Sequence, residues 1–384
     1  MKATISSAFS RTLTSAARRD TLRWWHGLQR RWMQRAAIVH YFHQDDDPYS
    51  ELLAAVLPRL QERYHIDLRC HRVAPPDDAS APDRERLREW SIRDAAALQT
   101  AYQLKPDSDV TTRLPWHTLD PNVGAKLRQR LGHYLGATIY FEGEWYWGID
   151  RLHYLETRLQ DAGLAHRPVD RLLIEPQPLR FAPIDRPSSL RPTLEFFCSL
   201  RSPYTYLAIE RVKHLAEHYK ADLQLRFVLP MVMRGLPVGF AKRKYILLDT
   251  KREAERLKLP FGNVVDPVGK PVEDGLAVLH RAIARGVGTA FLSSFLSAAF
   301  AEGIDLHRPR ALRQIALRSG LSSIEFESAL NDPAWRTMAA ANREALLASG
   351  LWGVPSFRVV GHPSVWGQDR LWMIERDLLA ATRA

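Results

Sequence analysis

Thr193-Leu194-Glu195-Phe196-Phe197-Cys198-Ser199-Leu200-Arg201-Ser202-Pro203-Tyr204-Thr205-Tyr206-Leu207-Ala208 decides how this chain of 384 residues is read. Residues 193–197 are an apolar run rich in β-formers, and a polar loop follows. Ser202 is a favoured helix N-cap and Pro203 is favoured in the first helical turn, so the loop gives way to a helix there. Apolar residues keep helical spacing through Tyr219, and residues 223–228 return to strand. The stretch therefore predicts a β-α-β unit. Further on, residues 272–350 predict consecutive helices, among them 276–284 and 290–301, the latter with Phe291, Phe295 and Ala299 on one face. Residues 354–360 predict another strand, Val365 closes a short hairpin, and a last helix runs from Asp369 to about Thr382.

A β-α-β unit, a helical insertion and then β-β-α is the order of an α/β thioredoxin fold carrying an inserted helical domain. The chain holds this order twice. Residues 38–73 align without gaps on residues 193–228 with ten of 36 positions identical, including Phe42/Phe197, Pro48/Pro203, Tyr49/Tyr204, Leu60/Leu215, Tyr64/Tyr219 and Leu68/Leu223. Trp147-Gly148-Ile149-Asp150-Arg151-Leu152 then mirrors Trp366-Gly367-Gln368-Asp369-Arg370-Leu371. Two matches in the same order predict tandem thioredoxin-like domains. The expected organisation is a basic amphipathic segment at 1–36, a degenerate thioredoxin-like domain at 37–164, a linker at 165–191 with five prolines, and a full domain at 192–384. The last domain carries its helical insertion at about 230–350, and the insertion of the first copy is much shorter.

Composition bounds the function. No run of about 18 uncharged apolar residues predicts a membrane span. Cys70 and Cys198 lie far apart, which excludes a disulfide framework and a Cys-x-x-Cys redox pair; both are expected as core thiols, in a reducing cytoplasmic setting. Net charge is +11, and residues 1–36 hold eight Lys or Arg against one Asp. Leu22, Trp25, Leu28, Trp32 and Ala36 fall at helical spacing there. The favoured reading is a helix docked on the protein by its tryptophans; a basic amphipathic helix lying on an anionic membrane or on nucleic acid, and a transit peptide, are the alternatives.

Three motifs carry chemistry, each with a plain structural reading beside it. Ser202-Pro203 caps a helix, and the same N-terminus stabilises an anion, so a thiolate beside the Ser202 hydroxyl would gain a charge-assisted hydrogen bond. Pro355 can simply open a strand; a cis Val354-Pro355 bond would instead leave the Val354 N–H and C=O facing a ligand backbone. Gln368 and Asp369 open the last helix, and Asp369 could accept a hydrogen bond from a ligand ammonium group. His214 and His218 sit four apart on one helix without a third metal ligand, so no metal site is expected.

Taken together, residues 196–208, Gly353-Val354-Pro355-Ser356 and Trp366-Gly367-Gln368-Asp369-Arg370-Leu371 resemble the 2-hydroxychromene-2-carboxylate isomerases and kappa-class glutathione transferases, a DsbA-like branch of the thioredoxin superfamily. Residues 241–245 and 259–261 are similar to the start of that family's insertion. The resemblance implies glutathione as cofactor, with Ser202 at the sulfur and as the catalytic residue, Val354 on the glutathione backbone before cis Pro355, and Gln368 and Asp369 at the γ-glutamyl end. It implies a glutathione-dependent isomerase acting on a small hydrophobic aromatic substrate, with a kappa-like transferase or a non-catalytic scaffold as alternatives and no nucleic-acid partner. Met231, Met233, Trp352 and Trp366 are the expected apolar walls. The family's usual asparagine is absent between Met231 and Asp249, which leaves Lys242 or Arg243 as substitutes. In the first copy Asp47 stands at the serine position and Gly136-Ala137-Thr138 replaces Val354-Pro355-Ser356, so that half is expected to be structural and the chain a pseudo-dimer in itself.

Overall fold

The computed structural model describes residues 2–78, 80–105, 109–184, 191–236 and 238–383, with side chains described from residue 7 onward. Residues 185–190 of the expected linker lie outside them. The chain divides into two units, one of residues 16–177 and 238–245, the other of residues 1–15, 178–237 and 246–384.

In the first unit β1 (Ile38–His43), β2 (Asp67–Arg72), β3 (Trp116–Thr118), β4 (Thr138–Phe141) and β5 (Glu144–Trp147) form one sheet in the order β3-β2-β1-β4-β5. β1 is parallel to β2, β2 is parallel to β3, and β4 is antiparallel to both β1 and β5. β1 is central, so Val39, Tyr41 and Phe42 are fully buried on the two faces of the sheet. The short strand β3 was not expected from the sequence; three residues of mixed polarity carry no strand period.

The second unit holds β6 (Thr193–Cys198), β7 (Asp222–Phe227), β8 (Ser356–Val359) and β9 (Val365–Trp366) in the order β7-β6-β8-β9. β6 runs parallel to β7 and antiparallel to β8, and β9 is antiparallel to β8. This is the strand order and direction of β2-β1-β4-β5. Glu195 is buried in the middle of β6, where an unpaired carboxylate would be costly. Arg226 from β7 (2.8 Å) and Arg358 from β8 (2.6 Å) satisfy it from both sides.

Two side-chain pairs occur in both units. Tyr49 donates to Asp94 and Tyr204 donates to Asp249, each at 2.8 Å and each across 45 residues. Tyr64 donates to Glu156 (3.2 Å), and Tyr219 donates to Glu375 (3.0 Å). The glutamates also hold the connecting segment: Glu156 accepts the Leu173 N–H (2.7 Å), and Glu375 accepts those of Arg180 (2.8 Å) and Phe181.

Between β7 and β8 lie helices Phe240–Arg256, Lys270–Ala284, Gly288–Ser297, Pro309–Arg318, Ser323–Leu330 and Ala334–Ala348. Between β2 and β4 the first unit has helices Arg84–Ala101 and Pro121–Leu131, a shorter helical stretch. Gly275 positions the site: a Cβ there would lie 2.6 Å from the Phe295 ring and 2.7 Å from Leu200, so only glycine lets the Lys270–Ala284 helix close on the loop ahead of Ser202.

Residues 1–36 form two helices, Lys2–Leu13 and Ala16–Trp32. The first docks through hydroxyls: Ser10 Oγ donates to the Gly262 carbonyl (2.9 Å) and accepts the Val264 N–H (3.0 Å). The second does not dock by its tryptophans, contrary to the sequence reading. Trp25 is 55% and Trp32 81% exposed, whereas Gly27 and Arg30 are buried. Arg23 pairs with Glu144 (2.7 and 2.8 Å) and Arg30 with Glu142, so ion pairs, and not apolar burial, choose the inward face.

Candidate functional site

Three segments meet where β6 ends and β8 begins. Phe197 is in register with Ser356, and Ser356 with Trp366. The loop to Ser202, the turn at Val354-Pro355 and the turn at Gly367-Gln368 therefore share one end of the sheet. The Gly367 N–H donates to the Pro355 carbonyl (2.9 Å) and ties the last two together.

Ser202 is the N-cap of helix Pro203–His218; its Oγ accepts the Thr205 N–H at 3.2 Å. Its own hydroxyl proton meets no acceptor among the described residues, and the side chain is half-buried. Arg201 is drawn away into a two-point pair with Asp266 (both 2.6 Å). What remains at the helix start is a free O–H donor beside the positive end of the helix dipole, an arrangement that favours an anion.

Val354-Pro355 is a cis peptide, as the resemblance implied. Among the described residues neither the N–H nor the C=O of Val354 has a hydrogen-bond partner, so both are available to an extended backbone. Ser356 Oγ donates to the Gly353 carbonyl (2.8 Å) and firms the turn. Gly353 lies against the Trp366 indole, where a Cβ would come within 2.1 Å of Cζ2. Trp352 meets Trp366 edge to face at 4.9 Å. Arg234 donates to the Trp352 carbonyl (3.4 Å), which brings the turn Met231–Arg234, and with it two expected wall residues, beside this pair.

Gln368 is 1% exposed and both ends of its amide are occupied. Arg211 donates to its oxygen, and its nitrogen donates to Glu253 (2.9 Å) and Asp369. Gln368 is thus buried beside Asp369, with its amide spent on Arg211, Glu253 and Asp369. Asp369 is half-exposed. Sequence reasoning missed Arg211, Glu253 and Arg256, which complete this group; Arg256 binds Glu253 at 2.6 Å. Burial pushes the Arg211 guanidinium down to about 10, against the opposing pull of Asp369 and Glu253. Their charge types are unremarkable on helices, so no sequence signal marked them.

Thr205 was also missed. Its hydroxyl is fully buried one turn behind Ser202 and has no hydrogen-bond partner among the described residues. In the first unit Ser50 lies at the same offset from Asp47 as Thr205 from Ser202, and its hydroxyl is saturated. It accepts the N–H groups of Gln44 (3.1 Å) and Ala137 (2.9 Å) and donates to Asp47 (2.8 Å). Phe42 is in register with Thr138, so Ala137 holds the place of Pro355. Gly136 closes on Gln44, whose Cβ would lie 2.7 Å from an added methyl. Burial raises the Asp47 carboxyl to about 6. That corner is tied internally through Ser50, which engages Asp47 and the Ala137 N–H, so it offers a ligand no free hydroxyl at the helix start.

The remaining expectations fall as follows. Lys242 does not stand in for the absent asparagine: it donates to the Ser80 carbonyl (2.9 Å) and lies near the Tyr134 ring, and burial pushes its amine down to about 8. Arg243 is exposed. His218 bonds the Ala182 carbonyl (2.9 Å), and His214 is exposed. Both cysteines are buried thiols; burial pushes Cys70 up to about 12 and Cys198 also well upward.

A β-α-β unit and a β-β-α unit around a serine-capped helix and a cis-proline turn define a thioredoxin-fold domain with inserted helices, and residues 193–379 are a DSBA-like thioredoxin domain by their match to that family's model. Within it the chain is similar to the 2-hydroxychromene-2-carboxylate isomerase of Pseudomonas sp. (strain C18), with 23% identity over 193 residues, 47% of this chain and 88% of that protein. Among solved structures it is similar to a 2-hydroxychromene-2-carboxylate isomerase (21% identity, 50% of this chain and 96% of that one, TM-score 0.41). A further similar structure is the cytosolic disulfide reductase DsbM from Pseudomonas aeruginosa with GSH (20% identity, 50% and 97%, TM-score 0.38). Among the described residues no helix is long and apolar enough to cross a membrane.

Proposed function

We propose that residues 192–384 form a glutathione-dependent isomerase of the 2-hydroxychromene-2-carboxylate isomerase type, acting in the cytoplasm on a small aromatic-derived substrate. The observation that carries this reading is the pairing of an uncommitted Ser202 hydroxyl at a helix N-terminus with an uncommitted Val354 backbone edge at the cis proline. The group fits glutathione, which needs a donor for its sulfur, a backbone partner for its cysteinyl residue and an anion for its ammonium group. Ser202 would donate to the sulfur and hold it ionised near neutral pH. Val354 would pair with the peptide, and Asp369, held by Gln368, would take the ammonium. When bound, glutathione supplies a thiol nucleophile able to add reversibly to a conjugated double bond and so permit rotation about it. The Trp352–Trp366 corner and Met231 and Met233 would form the apolar walls that keep water from the site. Thiol-disulfide exchange finds no thiol at the helix start, because serine stands there and Cys198 is buried.

The first unit is proposed as a tandem copy of the fold that has lost the site. The repeated Tyr–Asp and Tyr–Glu pairs favour common descent, and the saturated Ser50 corner favours a structural role. Isomerisation of a chromene-carboxylate, followed with and without glutathione, tests the reading, with a chlorodinitrobenzene-type electrophile as the transferase control. Glutathione-dependent isomerisation and one calorimetric site per chain are expected. Conjugation without isomerisation would make the protein a transferase, and no glutathione binding at millimolar concentration would leave the scaffold reading.

A further inference from the structure

Helix Ala16–Trp32 carries an apolar face that neither the fold nor the proposed site uses. Its inward side is Arg19, Arg23, His26, Gly27 and Arg30, with Arg23 and Arg30 spent on Glu144 and Glu142. Its outward side carries Trp24, Leu28 and Trp32 at successive four-residue steps, with Trp25 beside them. These are 60%, 37%, 81% and 55% exposed. A contiguous stripe of three tryptophans and a leucine turned to water marks an interaction surface. Arg31 and Arg35 flank it, exposed and without an ion pair among the described residues.

We propose that this helix lies in the plane of an anionic phospholipid bilayer, its tryptophans in the headgroup region and Arg31 and Arg35 on lipid phosphates. Charge selects this occupant. A twofold contact with a second copy would bring together two surfaces of the same positive sign, with eight Lys or Arg against one Asp in each copy's residues 1–36. An anionic surface instead complements Arg31, Arg35 and the excess of basic over acidic residues in this segment. Side-chain type points the same way: tryptophan, with an apolar body and one N–H, favours the water–hydrocarbon boundary. The helix is seventeen residues long and rich in arginine, so it rests on a bilayer and does not cross it.

The test is co-sedimentation of the intact protein with vesicles of phosphatidylcholine alone or mixed with phosphatidylglycerol, at low and high salt. Binding is expected only to the mixed vesicles and should weaken as salt rises. Replacing Trp24, Trp25 and Trp32 together by Ser should abolish it. Replacing Arg31 and Arg35 by Gln should lower partitioning by roughly fivefold per arginine. Arg23 and Arg30 stay in both variants, so the ion pairs to Glu144 and Glu142 are kept, and unchanged circular dichroism confirms that the helix remains folded. Absence of binding to the mixed vesicles, equal binding to both compositions, or full binding by the tryptophan variant overturns the proposal. So does a dimer in solution that the tryptophan variant dissociates, because a second copy would then be the occupant. None of these outcomes depends on glutathione.

Discussion

At the scale of single residues, Ser202 does two things that can be separated. It caps a helix through the Thr205 N–H, and it presents a hydroxyl proton that nothing in the described protein accepts. Ser202→Ala should therefore cost about 1 kcal/mol of stability from the lost cap. Turnover should fall further, because a charge-assisted bond to a thiolate contributes roughly 1.5–3 kcal/mol. The pH–rate profile decides: the limb reporting ionisation of bound glutathione should move to higher pH in the variant. An unmoved limb would reduce Ser202 to a cap. Gln368 shows the opposite case, a residue picked by motif whose amide is consumed inside the protein. The motif marked the right turn but could not say which of two adjacent polar side chains faces outward.

Among elements, helices Pro48–Ala54 and Pro203–His218, each following the first strand of its unit, are tied to helices Arg84–Ala101 and Phe240–Arg256 by a tyrosine–aspartate bond. Asp249 is 1% exposed and Asp94 2%, so neither carboxylate can exchange its tyrosine for water. Tyr204→Phe should cost about 1–3 kcal/mol, the range for leaving a buried acceptor short of a donor, and Tyr49→Phe should cost a similar amount in its own unit. Urea denaturation monitored by circular dichroism measures both. A neutral Tyr204→Phe would mean that packing of the ring, and not the bond, sets the helix. Helices 276–284, 290–301 and 369–382 were legible in the sequence because apolar spacing reports a buried stripe directly, although the first begins six residues earlier, at Lys270, where the pattern turns polar. β3 was not, because a three-residue edge strand is held by its neighbour β2 and not by its own pattern.

For the whole molecule, the buried histidines of the first sheet should weaken the fold in acid. His43 and His71 are buried, and His40 Nδ1 lies 3.0 Å from His71 Nε2. Burial holds all three down to about 4, with neighbouring Arg69 adding to it at His40 and His71 and Arg72 at His43. The unfolded chain binds these protons from about pH 6.5 downward while the folded chain refuses them. Stability is thus fully present above pH 6.5 and falls as pH drops toward 4. Asp47 opposes this: its carboxyl is raised to about 6, so its contribution is present at low pH and lost as pH rises through 6. Three histidines outweigh one aspartate, and the net expectation is acid loss between pH 6.5 and 4. His71→Gln should make the fall shallower and Asp47→Asn should make it steeper, read as denaturation midpoints across that range. The same slope in all three proteins would show that other groups control it.

Strand periods, capping residues and internal self-similarity determined the α/β class, the order of elements in the second half and the places of Ser202, Val354-Pro355 and Asp369. These are local features: a cap, a turn and a period are complete within a few residues of chain. Tertiary structure decided what local pattern cannot carry. It buried Gln368 and left Asp369 partly exposed, brought Arg211 and Glu253 to the same turn, and left the Thr205 hydroxyl without a partner among the described residues while Ser50 became saturated. It also turned the tryptophans of helix Ala16–Trp32 outward. An amphipathic helix has one apolar face in any environment, but which face meets the protein depends on what the protein offers. Here Glu142 and Glu144 offered charge, and the arginines took the inner side.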